Sequence, residues 1–157
     1  MTVGVLAIAG LSYRSLQEHA QDEEPTPLAE GTTELKALDQ DPLWSALPSA
    51  SIRRTDEHAA GLSDWGEKFH TWKSVTLGER YDTALFNQAV AAIESSDWEL
   101  YSSFCTEGSL SGTFAKRLPV GPAFLRITMS SNSNGVRVAA YVGPPSDPSQ
   151  PQRCWGS

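Results

Sequence analysis

A chain of 157 residues, 39% hydrophobic and 20% charged, is long enough for one ordinary domain with flanking segments. Its net charge of −7 is unevenly placed: residues 1–50 hold two basic side chains, Arg14 and Lys36, against eight acidic ones, whereas the remaining 107 hold ten basic and eleven acidic. The domain itself is therefore nearly neutral and lacks the basic footprint of a nucleic-acid-binding protein, so no nucleic-acid partner is expected.

The first apolar run, residues 2–11, is about ten residues long, half of what a helix needs to cross a bilayer. It lacks the positively charged start of a secretory signal, although Ala7-Ile8-Ala9 has the small-x-small form of a cleavage site. Three readings compete for this leader, residues 1–16. It is the outer half of a membrane anchor that begins upstream, since acidic residues after the run suit an outward-facing C-terminus. Or it is a short helix that packs Leu6, Ala9, Tyr13 and Leu16 on the domain or on a partner. Or it is a frayed terminus.

Residues 17–48 are expected to form an acidic, proline-containing linker, because Gln21-Asp22-Glu23-Glu24-Pro25-Thr26-Pro27 is too charged and too proline-broken for a regular element. Within it a helical turn fits residues 34–38, and Leu43, Trp44 and Leu47 form a candidate apolar clip onto the domain. The domain proper is expected over residues 49–143. Residues 51–58 and 70–77 read as strands, the second supported by the shared parity of Phe69, Val75 and Leu77. Gly61-Leu62-Ser63-Asp64-Trp65-Gly66 is a loop between them by composition.

A helix is expected over residues 83–96, with Asp82 as N-cap and Leu85, Phe86, Ala89, Val90 and Ile93 as one apolar stripe. After Ser95-Ser96-Asp97, a strand over residues 98–104 places Trp98, Leu100 and Phe104 inward against Glu99, Tyr101 and Ser103. A further strand, residues 111–117, leads into the turn Leu118-Pro119-Val120-Gly121-Pro122. The clearest hairpin follows. Leu125, Ile127 and Met129 share one face with Val136, Val138, Ala140 and Val142 if the turn has two residues, Asn134-Gly135, or four, Asn132 to Gly135. The four-residue form, slightly favoured, pairs Leu125 with Val142, Ile127 with Ala140 and Met129 with Val138. The expected class is α+β: an antiparallel sheet of four to six strands with one amphipathic helix on one face. Residues 144–157 form a polar, proline-broken tail.

That tail carries Cys154, and the only other cysteine is Cys105. If paired, they close a loop of about fifty residues, a cross-link worth about 4 kcal/mol in the chain-entropy model. A disulfide would place the protein in an oxidising compartment outside the cytoplasm. The alternative is two free thiols in a cytosolic protein.

Residues that carry chemistry do not converge. His19, His58 and His70 are too scattered for a zinc site, the cysteines lack knuckle spacing, and Glu67 with His70 makes a single weak i, i+3 pair. There is no glycine-rich phosphate loop and no nucleophile elbow. Asp64 with Glu67 and Glu94 with Asp97 have the solvated settings usual for carboxylates near loops and helix ends. No catalytic residue, metal or cofactor is expected; a hydrolase whose triad assembles in space around His58 or His70 is the remote alternative.

Aromatic residues carry the sharper functional signal. Trp72, Tyr101 and Tyr141 fall on the parity opposite to their strands' apolar sets, as do Arg126 and Arg137, which makes these five a candidate binding face. The competing reading puts Trp72 and Tyr101 over a second small core beneath the linker or the tail.

In layout the chain resembles a group of small extracytoplasmic proteins of high-GC Gram-positive bacteria, in which a membrane segment and a proline-rich acidic tether precede a compact domain. The resemblance rests on the apolar start, the linker, the helix from Ala84 to Ile93 running into Asp97-Trp98-Glu99-Leu100, the cysteine soon after, and the strand pair closing near Val142. It covers roughly residues 80–143 and implies no particular activity. The leading expectation is thus a tethered or secreted, non-enzymatic domain that binds a protein or a cell-envelope component through the outer sheet face, with membrane association through the N-terminus. The runner-up is a soluble cytoplasmic module that docks on a partner through the N-terminal apolar stripe.

Overall fold

Asp82 caps a helix as its position predicts: its carboxylate accepts the Leu85 N–H at 3.0 Å and opens α3, Thr83–Ser95. The helix stops where Ser96 leaves helical geometry and Asp97 adopts a left-handed φ of 63°, a conformation that short polar side chains tolerate best. The computed structural model describes residues 26–62, 70–146 and 149–156. In chain order it contains β1 (Thr26–Pro27), α1 (Ala29–Asp39), α2 (Leu43–Ala46), a 3₁₀ turn (Ser49–Ser51), β2 (Ile52–His58), β3 (Gly61–Leu62), β4 (Trp72–Leu77) and then α3. Beyond it lie β5 (Glu99–Thr106), β6 (Ser109–Leu118), β7 (Gly121–Ser130) and β8 (Val136–Val142). The protein is an α+β fold. One six-stranded antiparallel sheet runs β2-β4-β8-β7-β6-β5, and β1 pairs with β3 in a separate two-stranded ribbon.

The α3 stripe of Phe86, Ala89, Val90 and Ile93 buries against one face of the sheet, where Val75, Leu77, Phe114, Leu125, Ile127, Val136 and Val138 alternate inward. The described helices all lie on this side. Among the described residues no helix is long and apolar enough to cross a membrane. The leader, residues 1–16, and the acidic start of the expected linker lie outside the described residues.

Residues 29–47, expected as linker with a helical turn at 34–38 and an apolar clip of Leu43, Trp44 and Leu47, form α1 and α2. The clip docks as expected, Leu43 and Leu47 entering the main core with Trp44 packed against it, and Leu38 joins them. Their acidity is compatible with this because the sheet supplies the counter-charges: Lys73 reaches Asp39 at 2.5 Å and Lys116 reaches Asp41 at 2.7 Å. Those partners lie 34 and 75 residues away in sequence, out of reach of any local reading.

Strand parity is also corrected in β5. Leu100 faces Phe114, but the next paired residue is Ser102 opposite Thr113, so Tyr101 is the extra residue of a bulge. One inserted residue exchanges the faces of everything beyond it. Phe104, expected inward, is consequently 65% exposed, and Cys105 is instead opposite the inward-facing Leu110. The hairpin between β7 and β8 keeps the expected parity but shifts register by two residues, pairing Leu125 with Ala140, Ile127 with Val138 and Met129 with Val136. Ser133 explains the longer loop: its hydroxyl accepts the Ser130 N–H at 2.9 Å and donates to the Ser130 carbonyl at 2.8 Å, closing the turn ahead of Asn134-Gly135. Gly135 is required there, since its φ is +88° and a Cβ would stand 2.2 Å from the Leu77 carbonyl oxygen.

The tail is structured where it is described. Cys105 and Cys154 form a disulfide with their Cα atoms 5.9 Å apart. The tail runs along β5, the Gln150 N–H donating to the Tyr101 carbonyl at 2.9 Å and Ser103 accepting the Cys154 N–H at 3.1 Å. Trp155 enters the core edge-on to Phe86, with centroids 5.3 Å apart. The two sheet edges differ: β5 is covered by the tail, while β2, which no further strand among the described residues pairs beyond β4, carries Arg53, Arg54, Asp56 and Glu57.

Candidate functional site

The face of the sheet opposite the helices is built from the alternate residues of each strand, and antiparallel register brings them into rows. One row is aromatic. His58 on β2 pairs with Trp72 on β4, Trp72 with Tyr141 on β8, and Tyr141 with Phe124 on β7. His58 and Trp72 stack with centroids 6.2 Å apart, and Phe124 and Tyr141 at 4.9 Å with planes 12° apart. Trp72, Phe124 and Tyr141, together with His70 and Pro144, line an apolar groove of about 410 Å³ at one end of the face. Half-buried rings in a concave setting combine large contact area with little conformational freedom left to lose on binding.

The expected face is only partly assembled. Trp72 and Tyr141 are direct cross-strand neighbours. Arg126 lies two residues along β7 from Phe124, opposite Thr113 and Ala139, and Arg137 lies four residues along β8 from Tyr141, opposite Thr128 and Thr76. Tyr101 does not join them: it sits at the β5 bulge, three strands from Tyr141, with its carbonyl bound by the tail. Phe124 was the missing member. It shares the parity of Arg126 in sequence, but only the register with Tyr141 shows that it completes the row.

A second concavity, about 290 Å³, adjoins this row on the same face, lined by Arg126, Ser102, Phe104, Ser111, Thr113 and Gln150. It depends on the bulge, which turns Phe104 outward, and on the tail, which contributes Gln150. Among the described residues there is no group of three or more His, Cys, Asp or Glu side chains that could hold a metal ion. Asp64, Glu67 and the Glu67 half of the Glu67–His70 pair lie outside the described residues. Glu94 is ion-paired with Arg153 of the tail.

Fold and site together define a disulfide-clamped α+β domain with helices on one sheet face and aromatic and arginine side chains on the other. No protein-family model, curated protein or solved structure matches the chain.

Proposed function

We propose that this protein is a non-enzymatic extracytoplasmic domain, tethered or secreted, that binds a protein or cell-envelope component through the outer face of its sheet. The observation that carries the reading is the row Trp72–Tyr141–Phe124 and its groove on the side that no described helix covers. Aromatic anchors in such a setting account for a large share of binding energy at interfaces. The disulfide is compatible with an oxidising compartment and supports the location.

Co-sedimentation of the purified, oxidised chain with isolated cell envelopes tests the binding. Trp72→Ala and Tyr141→Ala are each expected to weaken retention by about tenfold or more, the loss typical of an interface anchor, while melting cooperatively as the parent does. Equal retention of parent and variants would remove the outer face from consideration. Thiol labelling in native cells tests the location: label entering only after reduction is expected, and freely reactive thiols in the soluble fraction would overturn it.

A further inference from the structure

An edge strand carries backbone N–H and C=O groups on the side away from its one neighbour, a template for a further strand. On β5 that side is taken by the tail. At the other edge β2 pairs with β4 and with no other strand among the described residues. Two of the devices that usually block such an edge, proline and lysine, are absent from its seven residues. The irregularity in its register falls between Ile52 and Arg54, near one end, and Arg54 to His58 keep unbroken pairing with β4.

What β2 does carry is charge of both signs in a fixed order: Arg53 and Arg54, then Thr55, then Asp56 and Glu57. Read outward from Thr55, the two sides are alike in position and opposite in sign. Two copies of a strand related by a two-fold axis run antiparallel, and residues directly opposite share a face, so the axis must fall on a residue. With the axis at Thr55, Arg54 of each copy stands opposite Asp56 of the other, and Arg53 opposite Glu57. Moving it to Arg54 or to Asp56 sets arginine against arginine or carboxylate against carboxylate, which is unfavourable. The charge order therefore selects one register and fits a second copy of this chain, which a run of one sign would repel. No charge has to be unpaired for this. Arg54 is 73% exposed and meets Asp56 of its own strand through Nε at 2.7 Å. The guanidinium fork also carries two Nη groups, and a carboxylate accepts more than one donor, so each keeps its partner along the strand while taking the opposite one across it. The four groups then alternate in sign around a square. Arg53 and Glu57 have partners of their own, Glu79 at 3.4 Å and Lys73 at 3.7 Å, so the choice of register lies with Arg54 and Asp56.

We infer that β2 is a homodimer interface, joining the sheets of two copies edge to edge about a two-fold axis at Thr55. This goes beyond the binding reading and does not rest on it, since the contact uses the β2 edge and not the groove of Trp72, Phe124 and Tyr141. Sedimentation equilibrium of the full oxidised chain over a concentration series tests it, and a reversible monomer–dimer equilibrium is expected. R54D and D56R each put like charges opposite one another and are expected to weaken the dimer at least about tenfold, while melting as cooperatively as the parent. R54D/D56R restores opposite signs and is expected to return the dimer to within about threefold of the parent. An equimolar mixture of R54D and D56R is expected to form a mixed dimer tighter than either variant forms alone, a result that a folding defect would not produce. A chain that stays monomeric at every concentration would overturn the inference, as would a dimer indifferent to R54D and D56R, or a mixture that associates no more tightly than its components.

Discussion

Asp41 shows how much one side chain can hold together. Its carboxylate, 2% exposed, accepts the Leu43 N–H at 3.0 Å, the Trp98 indole N–H at 3.2 Å and the Lys116 ammonium at 2.7 Å. Lys116 donates in turn to the Ser96 carbonyl at 2.7 Å. The end of α3, the start of α2 and strand β6 thus meet at one group. Asp41→Ala is expected to cost about 3–5 kcal/mol, because it leaves a mostly buried ammonium without its counter-charge and two buried donors without an acceptor. Replacing Lys116 by Met in the same background should recover part of the loss. Urea denaturation of the two variants measures this; an unchanged midpoint for Asp41→Ala would show that the network contributes nothing net. In the sequence Asp41 is one acid among several in a stretch that reads as a tether, and no local signal marks it out.

At the scale of elements, the bulge in β5 and the tail act as a unit. Tyr101 supplies the extra residue, which turns Cys105 inward and exposes its own carbonyl to Gln150. Gly112, opposite Ser103, then provides the seat for Trp155: a Cβ there would lie 2.5 Å from the indole Cη2. Trp155 is 6% exposed, stacks edge-on to Phe86 and lies beneath the Arg153 guanidinium. Trp155→Ala is expected to cost about 3–5 kcal/mol as a core truncation. Trp155→Phe should cost well under half as much, since it keeps most of the packing and removes an N–H that has no acceptor among the described residues. Thermal denaturation separates the two outcomes; equal losses would mean that ring packing is not what holds the tail. In sequence the tail reads as polar and proline-broken. Arg-Cys-Trp was its only apolar signal, and a single tryptophan has no periodicity by which to reveal a core position.

At the scale of the molecule, the Cys105–Cys154 bond joins positions 49 residues apart and encloses β6, β7 and β8, half of the sheet. Removing it by C105S/C154S is expected to lower stability by about 4 kcal/mol, chiefly by freeing the unfolded chain. The fold should persist, because Trp155, the Arg153–Glu94 ion pair and the Ser103 hydrogen bonds still hold the tail. Guanidinium denaturation with and without reductant checks this: the parent midpoint should fall on reduction and the double variant should not respond. A reductant-insensitive parent would show that the cross-link carries no stability.

Periodicity and capping, both local properties, were enough to establish the class of this protein. The stripe from Leu85 to Ile93 with Asp82 before it, and the alternation through Leu125, Ile127 and Met129, specify a helix covering one face of an antiparallel sheet whatever their partners are. They also divide the sheet residues into two faces, so Trp72, Tyr141, Arg126 and Arg137 were legible as outward. What the tertiary structure alone decided is which of these residues meet. Register depends on a serine-closed loop, the fate of Phe104 and Tyr101 on one inserted residue, and the docking of α1 and α2 on lysines that reach Asp39 and Asp41 from distant strands. Each is a contact between chain segments far apart in sequence, and the free energy that selects it belongs to the pair rather than to either segment.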